Sequence, residues 1–275
     1  MKHDKRSFVG LCAKCAITAA LAFGANAAER NIAKDYPLTK LTDHVYVIHG
    51  PNEMPSPKNQ GFRNNPVIVI TNAGVVVFDP GTSRYVGEMI VKKVKAISSL
   101  PIIAVFDSHI HGDHWLGNHG ISDAYPNVVI YGHPRMKSRA EQGEGDMWIK
   151  AINQRTGGAI EGTQPVAPTT SVENGAVITL GGTSFRIHYG DNAHTDNDIM
   201  VEIVEERVLY FGDIVRQANI GPFLGSFKGN LAAINAGLAT KSTIFIPGHG
   251  QSGGPEVAEE YRIFLQKLLA TVTKL

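Results

Sequence analysis

Short aliphatic runs recur along the chain. Residues 44–49 (HVYVIH), 66–71 (PVIVIT) and 74–78 (GVVVF) are rich in Val and Ile and bounded by Asn, Gly and Pro. That pattern predicts strands. Residues 82–98 place Val86, Met89, Ile90, Val94 and Ile97 near helical spacing, which predicts an amphipathic helix. Residues 102–106 (IIAVF) and 128–131 read as short buried strands. A second passage repeats the theme, with strands over 176–180, 184–189, 199–204 and 207–211, the last two joined by the Glu205-Glu206 turn. A helix over 230–239, a strand over 243–246 and a closing helix over 255–273 complete the reading. Strands alternating with helices predict a layered α/β arrangement in one domain. Residues 134–170, Gly-rich and Pro-bearing around Trp148, are the least regular part and read as an insertion near a site or as a surface excursion.

The first 27 residues stand apart. Lys2, Lys5, Arg6 and Lys14 make a basic start, residues 16–23 are apolar, and Ala25-Asn26-Ala27 has the small-x-small pattern of a cleavage site. This predicts an export signal over 1–27, a mature domain over 28–275 and a periplasmic or secreted protein. Lys5-Arg6-Ser7-Phe8-Val9 resembles a degenerate twin-arginine signal. Cys12 and Cys15, the two cysteines of the chain, would leave with the signal. Any metal in the mature chain is then bound by His and carboxylate.

Composition narrows the partners. With 43% hydrophobic and 19% charged residues the chain reads as an ordinary globular protein. Its net charge of +1 gives no basic excess for nucleic acid, so no nucleic-acid partner is expected. No apolar run approaches the roughly 18–20 residues of a membrane span. A small-molecule substrate is the expected partner.

The strongest chemical signal is His109-x-His111-x-Asp113-His114, just after the strand at 102–106. Alternating side chains in extended backbone can point His109 and His111 the same way, so both reach one ion. Asp113 and His114, past the turn at Gly112, can reach a second. Nitrogen and oxygen ligands without sulfur suit Zn²⁺, with Fe and Mn as further candidates. His194, Asp213 and His249 each follow a strand-like run near a Gly. If the strand ends face one side, all of these surround one cavity.

On these residues the sequence resembles the metallo-β-lactamase fold superfamily, with the HxHxDH signature at 109–114 and the family's motifs in order over roughly residues 38–273. The resemblance implies a four-layer αββα sandwich with the site at one sheet edge. It also implies two zinc ions per chain, one held by His109, His111 and His194, the other by Asp113, His114 and His249, with Asp213 bridging both. Asp79, in Val77-Phe78-Asp79-Pro80-Gly81, would buttress the metal loop rather than bind metal. Two divalent ions about 3.5–4 Å apart can hold a bridging hydroxide at neutral pH. The implied activity is therefore an exported dizinc hydrolase cleaving an amide, lactone, ester or thioester, with Asp113 as the catalytic proton shuttle.

The departures narrow the branch. Lactamases of the thiolate-bearing subclass have Cys where this chain has Asp213, and a second subclass lacks an acid there. Asp213 therefore leans toward thioesterases, lactonases and related hydrolases. The stretch after Asp213 is too short for the strands and helix still owed plus a helical glutathione-binding domain. The exported relatives with an AHTD-type motif, here 193–196, look most similar. Arg216, three residues after Asp213, would clamp a substrate carboxylate or be an ordinary solvated Arg. Residues 52–63 lie where this fold carries a flap, with Met54 and Phe62 as substrate contacts or anchors. Trp115 reads as packing, His119 and His133 as supporting or structural. Three alternatives stay open: a β-lactamase proper, a mononuclear iron oxygenase of sulfur compounds on the same fold, and a non-catalytic metal-binding protein.

Overall fold

A computed structural model describes residues 32, 34–217 and 224–272, so the export signal expected over 1–27 lies outside the described residues. The first half of the chain builds β1 (Leu38–Lys40), β2 (Val45–Ile48), β3 (Val67–Ile70), β4 (Val75–Phe78), α1 (Arg84–Ile97), β5 (Ile102–Asp107), α2 (Gly112–Trp115), α3 (Asn118–Ala124) and β6 (Val129–Gly132). Two helices, α4 (Pro134–Glu141) and α5 (Glu144–Thr156), lead to the short β7 (Thr170–Ser171). The second half adds β8 (Val177–Leu180), β9 (Thr183–Gly190), β10 (Asp198–Ile203), β11 (Val208–Arg216), α6 (Phe227–Leu238), β12 (Ile244–His249) and α7 (Glu256–Val272).

Strands β1 to β7 form one sheet in chain order, and β12-β11-β10-β9-β8 form the second. The two-residue period of a strand explains how they stack. In β4, Val76 and Phe78 point into the layer between the sheets, where they meet Phe185, Ile199, Val201 and Tyr210. Val75 and Val77 point the other way, onto Val86, Ile90 and Val94 of α1. In β11, Val208 and Tyr210 face the inter-sheet core, while Leu209 and Phe211 pack under α6 and α7. A strand buried on both faces must be apolar throughout, and these are. The result is the four-layer αββα sandwich that the resemblance implied.

Residues 134–170 are more regular than their Gly and Pro content suggests. His133 caps α4 by accepting from the Arg135 N–H, with Pro134 in the first turn. Gly143 and Gly157 bracket α5 in left-handed conformation, at φ +91° and +65°. The Pro and Gly residues are helix punctuation here rather than signs of irregularity. β11 also runs on to Arg216, beyond the 207–211 strand read from the sequence, so Asp213 lies within a strand.

Candidate metal centre

The site forms where the C-terminal ends of β5, β11 and β12 meet the turn after β9. Strands β4, β5 and β6 are parallel, as are β11 and β12. Their carboxyl ends therefore gather at one edge of the sandwich. β5 delivers the 109–114 segment, the turn before β10 carries His194, β11 holds Asp213, and β12 ends on His249. Gly212, at φ +53°, sits between two register shifts of the β11–β12 pair, a bulge that re-aims the following residue. Gly248 is required opposite it: a Cβ there would lie 2.1 Å from Asp213 Oδ1.

The structure brings all seven candidate ligands together in two groups. In the first, one ligand atom each from His109, His111, His194 and Asp213 lies within 4.8 Å of the others, and in the second the same holds for Asp113, His114 and His249. His194 Nε2 is 3.0 Å from His111 Nδ1. His114 Nε2 and His249 Nε2 are 3.3 Å apart, and each is 3.2 Å from Asp213 Oδ1. Asp213 Oδ2 reaches His194 Nε2 at 3.4 Å, so this carboxylate touches both groups. Asp113 Oδ2 stands 3.3 Å from His249 Nε2.

Burial and charge treat the two groups differently in the metal-free protein. Burial holds the imidazoles of His109 and His194 well below the ordinary histidine range and that of His111 down to about 4. These rings are neutral at pH 7, with lone pairs available to a cation. Burial also opposes charge on His114, but Asp213, Asp113 and Asp79 outweigh it and hold its pKa well above ordinary. His249 is raised in the same way, chiefly by Asp213 against its burial. The carboxyl groups answer: burial opposes ionisation of Asp113 and Asp213, yet His114 and His249 keep both well below the carboxylate range.

This donor set fits divalent cations. His109 Nε2 is buried and has no hydrogen-bond partner among the described residues. Imidazole nitrogens and carboxylate oxygens crowd together with no apolar filler, an arrangement that a cation satisfies and water-free packing does not. Asp79 also groups with His109 and His114, but both of its oxygens already accept hydrogen bonds. Oδ1 accepts from the Ser108 N–H; Oδ2 accepts from the Ser108 hydroxyl and the Tyr210 hydroxyl and meets His114 Nδ1 at 2.6 Å. Such a bond fixes the ring so that Nε2 points into the site.

Several residues that hold the site carry no sequence signal of their own. The Arg63 guanidinium lies 3.3 Å from Asp113 Oδ2, and its main-chain carbonyl accepts from His249 Nδ1 at 2.9 Å. The Asn65 amide donates to the carbonyls of Pro247 and Gly250, tying the His249 turn to the start of β3. Asn197 Oδ1 accepts from the Ile110 N–H between the first two histidines. The repeated Asn at 64–65, polar residues directly before an apolar strand, was the available hint. Trp148 of α5 sets its indole edge-on to His111 at 4.9 Å, a role that the irregular reading of 134–170 hid.

Arg216, read as a substrate clamp or a solvated residue, is only 5% exposed, with Nε 3.8 Å from Asp213 Oδ2. Phe62 is fully buried and Met54 exposed, so the 52–63 segment is anchored by the first and shows the second to solvent. Trp115 is buried and donates to the Ile110 carbonyl. His119 accepts from the Gln164 N–H, a structural role.

A family model described as the metallo-beta-lactamase superfamily matches residues 60–254. Hydroxyacylglutathione hydrolase of Francisella tularensis subsp. novicida (strain U112) is 27% identical over 163 residues, covering 59% of this chain and 52% of the relative. The chain thus spans about half the length of the first curated relatives it matches. Metallo-beta-lactamase IND-1 of Chryseobacterium indologenes is 24% identical over 214 residues, covering 75% of this chain and 80% of the relative. Among solved structures, a metallo-beta-lactamase from Pontibacter korlensis superposes with a TM-score of 0.66 at 16% identity, over 84% of this chain and 99% of that one. Metallo-beta-lactamase IND-7 gives 0.67 at 18% identity, over 85% and 99%.

Proposed function

The chain belongs to the metallo-beta-lactamase superfamily, and on that premise we propose that it is a zinc-dependent hydrolase that opens an amide, lactone, ester or thioester of a small molecule. The observation that carries this reading is the meeting of His109, His111, His194, Asp213, Asp113, His114 and His249 at one sheet edge. His109, His111 and His194 would hold one Zn²⁺, Asp113, His114 and His249 the second, and Asp213 would reach both. Two such cations supply Lewis acidity toward a carbonyl and lower the pKa of water toward neutrality.

The chain's own part is positioning and proton transfer. Asp113 is the most accessible of the site carboxylates, with its side chain 12% exposed against 4% for Asp213 and none for Asp79. It is the group able to take a proton from attacking water and pass it to the leaving atom. Asp79 keeps His114 oriented, and Asn65 and the Arg63 carbonyl do the same for His249. The long match to IND-1 keeps a lactam among the candidate substrates. Export to the periplasm or beyond, proposed from residues 1–27, would put the enzyme where such compounds arrive from outside.

The test is metal quantification on purified protein followed by a panel of nitrocefin, lactones and acyl-thioesters. Two zinc ions per chain and turnover of one class are expected, with Asp113→Asn lowering kcat about 10²–10⁴-fold while the fold persists. Undiminished turnover in that variant would refute the assignment of Asp113. One iron per chain with oxygen consumption would replace the hydrolase reading with an oxygenase.

A further inference from the structure

The α4–α5 pair reaches the first ligand group from two sides. From α5, Trp148 sets its indole edge-on to His111, and the helix packs so closely that a Cβ on Gly112 would lie 2.6 Å from Trp148 Cβ. From α4, two arginines hold the turn that carries His194. Arg135 Nη1 donates to the Asp196 carbonyl at 3.2 Å, and Arg139 Nη1 donates to Asp196 Oδ1 at 2.9 Å. Glu144, in the first turn of α5, fixes Arg139 in its place. It accepts from Nε at 2.6 Å and from Nη2 at 3.1 Å, a carboxylate meeting one edge of the planar fork. Arg139 thus joins α4, α5 and the His194 turn.

Asp196 passes this constraint on. Its Oδ1 also accepts from Asn197 Nδ2 at 2.7 Å. That contact decides which way the Asn197 amide faces, since only its nitrogen can donate to a carboxylate. The amide oxygen is thereby turned to the Ile110 N–H, from which it accepts at 3.0 Å. Asn197 and Ile110 are both buried, so a reversed amide would set two donors against each other. Ile110 lies between His109 and His111, and its N–H anchors the backbone from which those two imidazoles project.

We propose that Asp196 and Arg139 are positioning residues of the first cation site: acting through Asn197, they hold the His109–His111 backbone and the His194 turn in register, so that metal affinity at this site depends on a side chain of α4. The proposal rests on the metal-centre reading above and adds what pre-organises one of its two sites. The Asp113, His114 and His249 group is held by different contacts, from Asp79, the Arg63 carbonyl and Asn65, none of which passes through α4. The two sites should therefore respond differently when the α4 contact is broken.

The test isolates each site before perturbing it. His249→Gln leaves the three-histidine site, His109→Gln leaves the other, and the zinc Kd in each background is read by competition with a chromophoric chelator. Adding Asp196→Ala should raise Kd about tenfold in the His249→Gln background, the low end for losing an outer partner of metal ligands. In the His109→Gln background Kd should stay the same. Asp196→Asn keeps an acceptor oxygen and should recover most of the loss. Arg139→Gln should raise Kd in the first background by less, about threefold, because its pair with Asp196 is half-exposed. The Tm of the metal-free protein reports folding separately and should move little; if Asp196→Ala does not fold, Arg139→Gln carries the test. An unchanged Kd in the first background, or equal rises in both, would overturn the proposal. Absence of zinc binding in both parent backgrounds would instead end the metal-centre reading, and the proposal with it.

Discussion

Single side chains of the centre differ most in how they meet protons. The His109, His111 and His194 rings are neutral at pH 7 because burial penalises their charge. A cation entering there displaces no proton. Asp213 and Asp113 raise the pKa of His114 and of His249, so protons compete with a cation for these two nitrogens more strongly than for the first three. Lowering the pH should therefore empty the Asp113, His114 and His249 site first. Zinc analysis after dialysis at pH 7.5, 6.5 and 5.5 should pass from two ions toward one before reaching none; loss of both together would contradict the asymmetry. Asp198, which accepts from the Thr195 N–H and hydroxyl, titrates in the opposite sense to Asp113. Burial pushes its carboxyl up to about 7. Between roughly pH 4 and 7 the folded state keeps this proton while the unfolded chain has lost it. The unfolded chain then binds fewer protons, so this group's contribution to stability falls as pH rises through that window. In metal-free protein the urea midpoint should drop from pH 5 to pH 8 more steeply for the wild type than for Asp198→Asn, a difference of about 2–3 kcal/mol. Parallel slopes would show that Asp198 ionises normally.

At the scale of elements, tight backbone approaches place the ligands. Asp213 can point into the site only because Gly212 takes a left-handed conformation and Gly248 leaves room for the carboxylate. Gly248→Ala would put a methyl 2.1 Å from Asp213 Oδ1 and 2.8 Å from the Gly212 backbone. The Gly212 contact is backbone, and relieving the other requires the Asp213 carboxylate to leave its place in the site. The variant should lose zinc and activity and fall in stability by about 1–3 kcal/mol, measured by zinc content and denaturant midpoint; a variant retaining both ions would show that β11 and β12 can part. These elements also mark the limit of what the chain announces about itself. β4 reads directly as a strand because it is a short unbroken run of Val and Phe bounded by turn residues, and α1 reads from its amphipathic spacing, whereas its cap, Ser83, is seen only in the structure. The candidate site is legible because histidine and aspartate are dense after strand runs. The α4–α5 pair is illegible because Gly143, Gly157 and Pro134 look like loop residues until their places at helix ends are known. Arg63 and Asn65 are hidden for another reason: they act across 186 and 185 positions of sequence, on His249 and Gly250, a distance no local pattern encodes.

For the molecule as a whole, the candidate centre draws its residues from two halves. His109, His111, Asp113 and His114 follow β5 of the seven-stranded sheet, while His194, Asp213 and His249 belong to the five-stranded sheet. Every cation bound there ties one sheet to the other at their shared edge. The inter-sheet core, in which the Phe78 ring meets those of Phe106, Phe185 and Tyr210 and Phe106 meets Phe185, holds the halves together independently. Removing metal should therefore lower stability without unfolding the protein. Ligands that bind only the native state stabilise it by RT ln(1 + [L]/Kd), about 4 kcal/mol when free metal exceeds Kd a thousandfold. For a chain of this size that is a fall in Tm of roughly 10 °C on chelation. Circular dichroism should show an unchanged far-ultraviolet spectrum at 25 °C before and after EDTA, a lower Tm, and recovery on adding zinc. His109→Gln and His249→Gln should each start part of the way down and respond less to the chelator, because one anchoring ion is already weakened. A Tm that stays put while zinc is demonstrably stripped would mean that the apolar layer alone joins the sheets and that the centre adds chemistry without strength.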